Sequence, residues 1–496
     1  MQTNFVSISR ILAALILCLP ALQHQAVAAE LSARTQAPAA EQVVMKVDEY
    51  MQAAIKHDQF SGTVLIAKDG APIVSKGYGM ANYELNVPNT PKTVFQIASL
   101  TKQFTSMAIM QLQERGKLNV NDRICLYLDA CPATWQAITI RHLLTHTSGI
   151  ANFSSNPDWD DKISIQPYTR KGFVDVFKNE PLQFVPGEKF KYSNSGYYLL
   201  GLIIERTSKK SYAEFLHEEI FAPLGMKNSG MKDPRALVPD YASGYYWSLN
   251  SFIKPAYMHP VSAFANGGMY STVGDLLVWD AALYSDKLVS RKSLDEIFTP
   301  YKNEYGYGWR ISKKFDRTTT EHSGSSNGFS TFILRFPSER LTVIVLSNSD
   351  SASATKAAYN LAAIAFGEPV NLPKPQLREV MTATLLKDGL SAAIQQYREL
   401  RRTQSKEYDL SEEVLIDLGY DLLDSGRTDD AIEVFKLGVE FSPKSSDFHD
   451  SLGHAYIAKG DRDLAIRSFE KVMEIEPDSE HGTSMLKDLR ENGIKN

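Results

Sequence analysis

The stretch Ser-Leu-Thr-Lys at residues 99–102 opens the most regular helical pattern in the first part of the chain. Apolar residues follow it at helical spacing, and Gly116 is a natural C-terminal stop. The pattern predicts a helix over residues 99–114. The hydroxyl of Ser99 and the amine of Lys102 are then three positions apart on one face at the start of that helix, where both can point into a cleft.

Strand-like patterns lie on both sides of this helix. Residues 62–78 form two β-rich runs around an Asp-Gly pair, which is the signature of a hairpin. Two later runs, at 331–336 and 341–346, are separated by a turn sequence, and a helical pattern covers 43–55. Strands at both ends with helices and loops between them predict an α+β domain.

The composition is that of a globular protein. With 496 residues the chain has room for about two to four domains, and 43% hydrophobic and 22% charged residues exclude wholesale disorder. Lys plus Arg is 53 against 58 for Asp plus Glu, a net charge of −5. Without a basic field to attract phosphates, nucleic acid is not an expected partner.

The first residues are typical of an export signal. Arg10 precedes an apolar run that ends at Leu22, and Ala-Val-Ala at 26–28 offers small residues for cleavage. We expect residues 1–29 to be a removable signal peptide and residues 30–40 to be a linker. The mature chain is then exported, to the periplasm or, as the alternative, to the medium.

Two membrane-anchored alternatives are disfavoured. The apolar run is shorter than the ~20 residues that a spanning helix needs, so a retained anchor is the lesser interpretation. A lipid anchor on Cys18 is disfavoured because Leu17 stands where a lipoprotein signal has a small residue. We therefore expect no stable membrane anchor after signal removal.

Two cysteines, Cys125 and Cys131, remain after the signal is removed. An oxidising compartment would allow them to form a disulfide, and two unpaired thiols are the alternative. We favour the disulfide, because a metal site would need further cysteine or histidine ligands at suitable spacing nearby.

A second region begins after a proline-rich boundary. Three prolines fall within residues 369–376, which neither a helix nor a central strand tolerates. This boundary separates a domain at 41–368 from a helical domain at 377–496.

The helical domain contains a repeat with a period of 34 residues. Seven pairs of identical residues share this offset: Leu418 and Leu452, Gly419 and Gly453, Gly426 and Gly460, Ala431 and Ala465, Ile432 and Ile466, Phe435 and Phe469, and Pro443 and Pro477. The period and the residue types resemble the tetratricopeptide repeat. Clear units cover 412–445 and 446–479, residues 377–402 read as a degenerate first unit, and residues 485–496 as a cap.

The repeats have two open interpretations. Tetratricopeptide-like arrays offer a concave face, so the domain is a candidate site for a protein or peptide partner. The alternative is a packing appendage of the first domain.

Three short motifs in the first domain belong together. Ser-x-x-Lys at 99–102 is followed by Tyr192-Ser193-Asn194 and then by His322-Ser323-Gly324. This ordered set resembles the motifs of serine β-lactamases and penicillin-binding proteins, in the form where Tyr-x-Asn replaces the middle motif. That variant is similar to class C β-lactamases, D-alanyl-D-alanine carboxypeptidases and their esterase relatives. The resemblance covers about residues 41–366 and implies an antiparallel sheet flanked by helices.

The chemistry of these motifs assigns a role to each residue. A serine hydroxyl needs a base, so Ser99 is the predicted nucleophile and Lys102 activates it. Tyr192 is the predicted general base, its pKa lowered by a nearby cation, and relays the proton to the leaving group. Asn194 is expected to hold the substrate amide and to orient Lys102.

The resemblance also implies an oxyanion hole and a set of substrate-binding residues. The backbone N–H groups of Ser99 and Ser325 would form the hole, and His322, Ser323 and Gly324 would bind substrate. β-Lactamases typically have lysine where this chain has His322, and imidazole is mostly neutral at pH 7. We therefore expect acyl transfer from esters or D-amino-acid peptides, with slow or absent penicillin hydrolysis.

Two rival motifs carry less weight. Gly-x-Ser-x-Gly at 324–328 would make Ser326 a nucleophile, but this motif needs a helix after it and the sequence continues as a strand. His142 and His146 have the spacing of a zinc pair, but leucine occupies the place of the catalytic glutamate. No metal and no cofactor are expected.

A non-catalytic, binding function is the alternative to an enzyme. The first domain could bind cell-wall peptides without catalysis and the repeats could report binding to a partner, which would make the chain a sensor. Because the nucleophile and both proton-handling residues are present, we favour the enzyme with a small-molecule or peptide substrate.

Overall fold

The computed structural model describes residues 39–129, 131–156, 158–233, 235–249, 251–350 and 352–492. The predicted signal peptide and nearly all of the predicted linker, with Cys18, lie outside the described residues, as does the end of the predicted cap from residue 493 onward. Within the described ranges, no helix combines the length and the apolar character needed to cross a membrane.

A six-stranded antiparallel sheet forms the centre of the first region. Its strands in chain order are β1 (Gly62–Lys68), β2 (Ala71–Tyr78), β3 (Arg310–Lys314), β4 (Arg317–Ser326), β5 (Phe329–Phe336) and β6 (Leu341–Ser347). Their order in space is β3-β4-β5-β6-β1-β2, so the first strand pairs with the last. The predicted hairpin is the β1–β2 pair, and the two later predicted runs are β5 and β6.

Long helices flank the sheet and then form the whole second region. The described helices of ten or more residues are α1 (Ala40–Lys56), α2 (Thr101–Glu114), α3 (Asn194–Ser208), α4 (Val273–Ala282), α5 (Ala354–Phe366), α6 (Leu377–Asp388), α7 (Leu390–Thr403), α8 (Glu412–Asp424), α9 (Thr428–Phe441), α10 (Ser446–Lys459), α11 (Arg462–Ile475) and α12 (Glu480–Asn492). The α+β fold with an antiparallel sheet, followed by an all-helical region, confirms the predicted fold class.

Shorter elements connect these helices and strands. The short helical segments are Ala98–Leu100, Ile124–Leu126, Ala133–Trp135, Ile140–Leu144, Phe153–Ser155, Trp159–Ile163, Arg170–Val174, Tyr212–Leu216, His217–Phe221, Ala222–Leu224, Pro260–Ala263, Phe264–Gly267 and Arg291–Ile297. The short strands are Met80–Asn82, Val87–Pro88, Phe95–Gln96, Gly230–Met231, Tyr246–Ser248, Ser251–Ile253 and Met269–Ser271.

The central strands are buried on both faces, which explains their continuous apolar runs. Val64 and Ile66 of β1 pack with α1 and α5 on one side of the sheet. Leu65 and Ala67, which alternate with them, belong to the larger core around α2 on the other side. The sheet is therefore the middle layer of three.

The helix predicted at 99–114 has a different first turn. Residues Ala98–Leu100 form a 3₁₀ turn, and the α-helix begins at Thr101. Ala98 has a left-handed φ of +46°, and the Thr101 hydroxyl donates a hydrogen bond of 2.7 Å to the Ala98 carbonyl. Ser99 consequently stands on a tight bend and not on a regular helix.

Cys125 and Cys131 form a disulfide, with Cα atoms 5.3 Å apart. Both side chains pack against the larger core. The bridge closes a short loop at the edge of that core, so its contribution to stability is smaller than the ~3 kcal/mol of a 15-residue loop.

The packing of the repeats explains the sequence period. A Cβ on Gly419 would lie 2.1 Å from the Phe435 ring, and one on Gly453 would lie 2.6 Å from the Phe469 ring. The glycines therefore recur because each admits an aromatic ring from the next helix. The predicted degenerate unit consists of α6 and α7, which pack against α8 and α9, and the last helix begins at Glu480, five residues before the predicted cap.

The two regions are joined through a buried arginine of α6. The Arg378 side chain is 5% exposed, and its guanidinium lies 2.6 Å from Asp421 Oδ2 and 3.3 Å from Asp417 Oδ2 in α8. It also donates to the backbone carbonyl of Trp247 at 3.4 Å, and Asp421 accepts from the Leu249 N–H at 3.1 Å. Arg378 therefore ties the repeats to the hairpin formed by the short strands Tyr246–Ser248 and Ser251–Ile253.

We predict that Arg378→Ala lowers the free energy of unfolding by about 3 kcal/mol, because it leaves the buried Asp421 carboxylate without its cation. The matched control is Arg398→Ala, which removes an exposed pair with Glu440 and should cost less than ~1 kcal/mol. Urea unfolding of the two variants measures both effects. Equal losses in the two variants would contradict this account of the interface.

Candidate active site

The structure brings Ser99 and Lys102 together at the bend before α2. Lys102 is fully buried, and its Nζ lies 2.9 Å from Ser99 Oγ. The same Nζ donates to Asn194 Oδ1 at 2.8 Å and to the Asn266 backbone carbonyl at 2.7 Å. The lysine that was predicted from a four-residue motif is thus held by three separate segments of the chain.

The surroundings of Lys102 favour its neutral amine. Burial lowers the pKa of Lys102 well below its ordinary value of 10.5. A neutral amine has two N–H donors and one lone pair. The oxygens of Asn194 and Asn266 can only accept, so they take the two donors. With these two donors occupied, the lone pair of a neutral Lys102 would be left for the proton of Ser99 Oγ, which lies 2.9 Å from Nζ.

Tyr192 reaches the same place from the segment before α3. Lys102 Nζ lies 4.9 Å from the centre of the Tyr192 ring, and the phenol hydrogen-bonds with Ser99. Burial raises the pKa of Tyr192 well above its ordinary value, and the hydrogen bond with Ser99 only partly opposes this. The expectation that a nearby cation lowers this pKa is not met. The physical reason is burial, which disfavours the phenolate of Tyr192 and also disfavours the charged form of Lys102, the cation that was expected to lower this pKa.

Asn194 is fixed by contacts on both sides. As the first residue of α3, it donates its backbone N–H to Asn152 Oδ1 at 2.9 Å. Its side-chain Nδ2 donates to Ser154 Oγ at 3.1 Å, which directs Oδ1 toward Lys102. The geometry therefore supports an orienting role toward Lys102, and contact with a substrate amide stays a prediction.

The two segments of the predicted oxyanion hole are packed together through Gly324. A Cβ at this position of β4 would lie 2.5 Å from the Ile97 carbonyl and 3.1 Å from the Ser99 nitrogen. Thr331 of β5 donates to the same Ile97 carbonyl at 3.0 Å. Only glycine allows this approach, which places Ser325, the next residue, beside the bend that carries Ser99.

His322 lies within β4 as a buried neutral ring. Tyr305 Oη is 2.8 Å from His322 Nε2, and His322 Nδ1 is 2.6 Å from the Ser323 carbonyl. Burial and the nearby Lys102 lower the pKa of His322 to about 3. The imidazole is therefore uncharged at neutral pH, which agrees with the mostly neutral imidazole that the sequence predicts.

Ser323 is not brought to the cleft with the other predicted residues. Its side chain is exposed and lines a different cavity, together with Arg310 and Tyr359. The reason is the alternation of a strand, which turns Ser323 away from the side that His322 and Gly324 share. The sequence also did not reveal that the His-Ser-Gly motif stands in a strand, because β4 begins with an arginine, three threonines and a glutamate and lacks an apolar run.

The site is also supported by residues that lie outside the three motifs and that the motifs did not identify. The His146 ring packs on the Tyr192 ring with centroids 4.2 Å apart, and His146 Nδ1 accepts the Ser193 N–H at 3.1 Å. The signal available for His146 was its place in the Leu-Leu-Thr-His-Thr-Ser-Gly stretch. Tyr305 and Asn152 had no comparable signal. His142 instead caps a short helix through Thr139, so it serves a different purpose from His146.

Ser99 opens into a cleft of about 250 Å³. The residues that line it are Ala98, Ser99, Phe153, Ser154, Trp159, Asn194, Tyr246, Met258, Ser262, Ala263, Asn266, Gly267, Ser325, Ser326 and Asn327. None of these lining residues is acidic or basic. A larger cavity of about 680 Å³ lies between α1 and the repeats, but the cleft is the chemical site because it holds the Ser99 hydroxyl. Ser326 lies on its wall, and strand β5 follows at Phe329, so the motif at 324–328 lacks the helix it would need.

A serine hydroxyl, a buried amine and a phenol gathered beside an antiparallel sheet are the groups of a serine hydrolase. The chain belongs to the Beta-lactamase family, whose family model matches residues 46–366, and the model of the Tetratricopeptide repeat matches residues 447–479. These matches confirm both resemblances at the level of the family. Assignment to the class C branch stays a prediction.

Relatives of known name agree with this family. Penicillin-binding protein 4* of Bacillus subtilis (strain 168) is 34% identical over 346 residues, which are 64% of this chain and 75% of the relative. Protein flp of Staphylococcus aureus (strain MW2) is 30% identical over 334 residues, and the match spans 63% of this chain and 65%, just under two thirds, of flp. The structure of the octameric penicillin-binding protein homologue from Pyrococcus abyssi is 28% identical, with a TM-score of 0.59 over 69% of this chain and 81% of that one.

We predict that Gly324→Ala lowers the rate of acylation at least ~100-fold, the effect of losing one oxyanion donor. The added methyl group would lie 2.4 Å from Thr331 Oγ1 and 2.5 Å from the Ile97 carbonyl oxygen, so it must displace the backbone that leads to Ser99 as well as the Thr331 hydroxyl. The matched control is Gly274→Ala in α4, where the nearest atom would be 3.8 Å away. Stopped-flow acylation by an activated ester measures both variants, and full activity in Gly324→Ala would contradict the close packing of the hole.

Proposed function

We propose that this chain is an exported acyl hydrolase that forms a covalent ester at Ser99 and acts on amide or ester bonds. Candidate substrates are D-amino-acid peptides and small esters, and turnover of β-lactams is slow or absent. The observation that carries the proposal is the buried Lys102 amine, whose Nζ lies 2.9 Å from Ser99 Oγ.

The proposed reaction begins with Lys102. Its lone pair takes the Ser99 proton while Oγ forms a bond to the substrate carbonyl carbon, and the carbonyl oxygen becomes an oxyanion facing the N–H groups of Ser99 and Ser325. Tyr192 donates its proton to the leaving nitrogen or oxygen and recovers one from Lys102. The bond to the leaving group breaks, and an acyl ester remains on Ser99.

The second half of the reaction uses the same groups. Water loses a proton to the Tyr192–Lys102 pair and attacks the acyl ester. The bond between Ser99 Oγ and the acyl carbon breaks, Oγ regains its proton, and a carboxylic acid leaves. The raised pKa of Tyr192 supports this assignment, because a phenol that stays protonated is a donor before it is a base.

The preference against β-lactams rests on charge. Penicillins carry a carboxylate, and the residues that line the cleft supply no cation for it. His322, which stands where β-lactamases typically have lysine, is neutral because its pKa is about 3. An ester or a peptide amide without a free carboxylate avoids this cost, whereas the carboxylate of a penicillin, or of a peptide that ends in a free D-amino acid, gives up hydration without gaining an ion pair. The charge argument therefore favours esters and D-amino-acid peptides whose leaving group is uncharged.

Export and a partner for the repeats belong to the same proposal. Export is supported by the signal-like residues 1–29 and by the relationship to penicillin-binding proteins. A protein or peptide partner for the repeats is supported by the tetratricopeptide match, since such arrays present a concave binding face.

We predict that a fluorophosphonate probe or a penicillin adds one covalent mass to the mature chain and none to Ser99→Ala. The control is Ser325→Ala, which keeps the backbone N–H and should retain the adduct and most of the turnover. Intact-mass spectrometry followed by assays on esters, D-Ala-terminated peptides and β-lactams provides the measurement. An unlabelled wild-type chain would favour the non-catalytic sensor, and rapid penicillin turnover would refute the charge argument.

We predict that the pH dependence of ester hydrolysis follows Lys102. Because burial lowers its pKa well below 10.5, kcat/KM should rise with pH as the amine loses its proton and level off before that value. His322 should contribute no step near its ordinary 6.5, since it is already neutral above about 3. A step near 6.5 that disappears in His322→Gln would assign the base to the histidine instead.

A further inference from the structure

Two histidines and an aspartate meet at the end of the repeat array, far from the catalytic motifs. Asp450 and His454 stand one turn apart on α10, and His481 lies in the first turn of α12. The distance between the two Nε2 atoms is 3.4 Å. Asp450 Oδ1 lies 3.1 Å from His481 Nε2, and Asp450 Oδ2 lies 3.5 Å from His454 Nε2.

The distances between these side-chain atoms are close to those between two ligand atoms bound to the same metal ion. Zinc binds histidine nitrogen and carboxylate oxygen at about 2.0–2.2 Å, so two ligand atoms of a tetrahedral zinc ion lie about 3.3–3.5 Å apart. The three measured separations span 3.1–3.5 Å, with Asp450 Oδ1 toward His481 and Asp450 Oδ2 toward His454. One ligand atom from each of the three residues lies within 4.8 Å of the other two, so the two imidazoles and the carboxylate face one small space.

The orientation of the aspartate supports the same point. Asp450 Oδ1 is buried, yet within the described part of the chain it accepts no hydrogen bond, even though His481 Nε2 is close. Atoms that face a common third point, and not each other, give this combination of short distance and unfavourable hydrogen-bond angle.

The repeat itself does not require these residues. One period of 34 residues earlier, the positions of Asp450 and His454 are occupied by Ile416 and Tyr420. The ring of Phe469 stands behind both histidines, with centroids 5.5 Å from His454 and 6.1 Å from His481, and limits their rotation. The triad is thus a feature of the last repeat, and the Phe469 ring restricts the orientation of its two histidines.

The local charge also favours a cation. Asp447 lies one turn before the triad, and Glu476 and Glu412 are near enough to interact with it electrostatically. Such a cluster of acidic side chains concentrates divalent cations near the surface.

We propose that Asp450, His454 and His481 bind one divalent transition-metal ion, zinc in the first place, and that this ion fastens α12 to the last full repeat. Two imidazoles and a carboxylate are a common ligand set for zinc and leave one position for water. Sequence spacing alone does not reveal the site, because His481 is 27 residues from His454 and comes close to it only through the fold of the repeat.

The test uses the full mature chain, purified without a histidine tag and stripped with a chelator, and zinc chloride as the probe. Calorimetric titration and elemental analysis after dialysis should give one zinc ion per chain. Asp450→Asn, His454→Gln and His481→Gln should each weaken binding at least ~100-fold. The matched control is His449→Gln, which removes an exposed histidine of the same helix and should bind zinc as the wild type does.

A second measurement does not depend on variants that must fold. Hydrogen exchange of residues 480–492 in the wild-type chain should slow when zinc is added, because the ion would hold α12 in place. The proposal is overturned if the wild type binds no zinc, if the three single variants bind it as well as the wild type does, or if exchange in α12 is unchanged at saturation. In the first case the two histidines form only a hydrogen-bonded pair.

Discussion

The burial of one amine determines how the catalytic region must be built. Lys102 is completely enclosed, and a charged ammonium in that position would lose its hydration without an acidic partner nearby. The structure supplies only uncharged acceptors, Asn194 Oδ1 and the Asn266 carbonyl, which stabilise a neutral amine. The bend before α2, the start of α3 and the short helix Phe264–Gly267 must therefore converge on one nitrogen. The low pKa that makes this amine a base follows from the same burial that keeps the three segments packed.

Patterns of local periodicity in the sequence predict much of the fold. Apolar residues recur at regular spacing in the β1–β2 hairpin, in α2, in β5 and β6, and in the repeats. In each element this spacing reflects packing against the core. The strand β4 was missed because its threonines can occupy a polar loop equally well. Its position follows from pairing with β3 on one side and β5 on the other, which no local pattern contains.

In the candidate site, too, some properties were predictable from the sequence and others were not. The three short motifs predict a shared site for Ser99, Lys102, Tyr192 and Asn194. Their residues are polar, and the packing of the core does not by itself require them. The direction of the pKa of Tyr192 and the outward position of Ser323 were not predictable. The first depends on how deeply two groups are buried together, and the second on which face of a strand meets the core. His146 and Tyr305 support the site from segments with no spacing relation to the motifs.

The hairpin Tyr246–Ile253 connects the chemistry to the repeats. Tyr246 lines the cleft beside Ser99, whereas the next residues along the hairpin contact α6 and α8 through Arg378 and Asp421. The side chain of Leu249 packs against the core of the repeats. A short two-stranded hairpin is marginally stable by itself, so its position depends on what lies on either side of it. One wall of the cleft is therefore set by the docking of the repeats as well as by the sheet, and the two regions act as one unit even though their cores are separate.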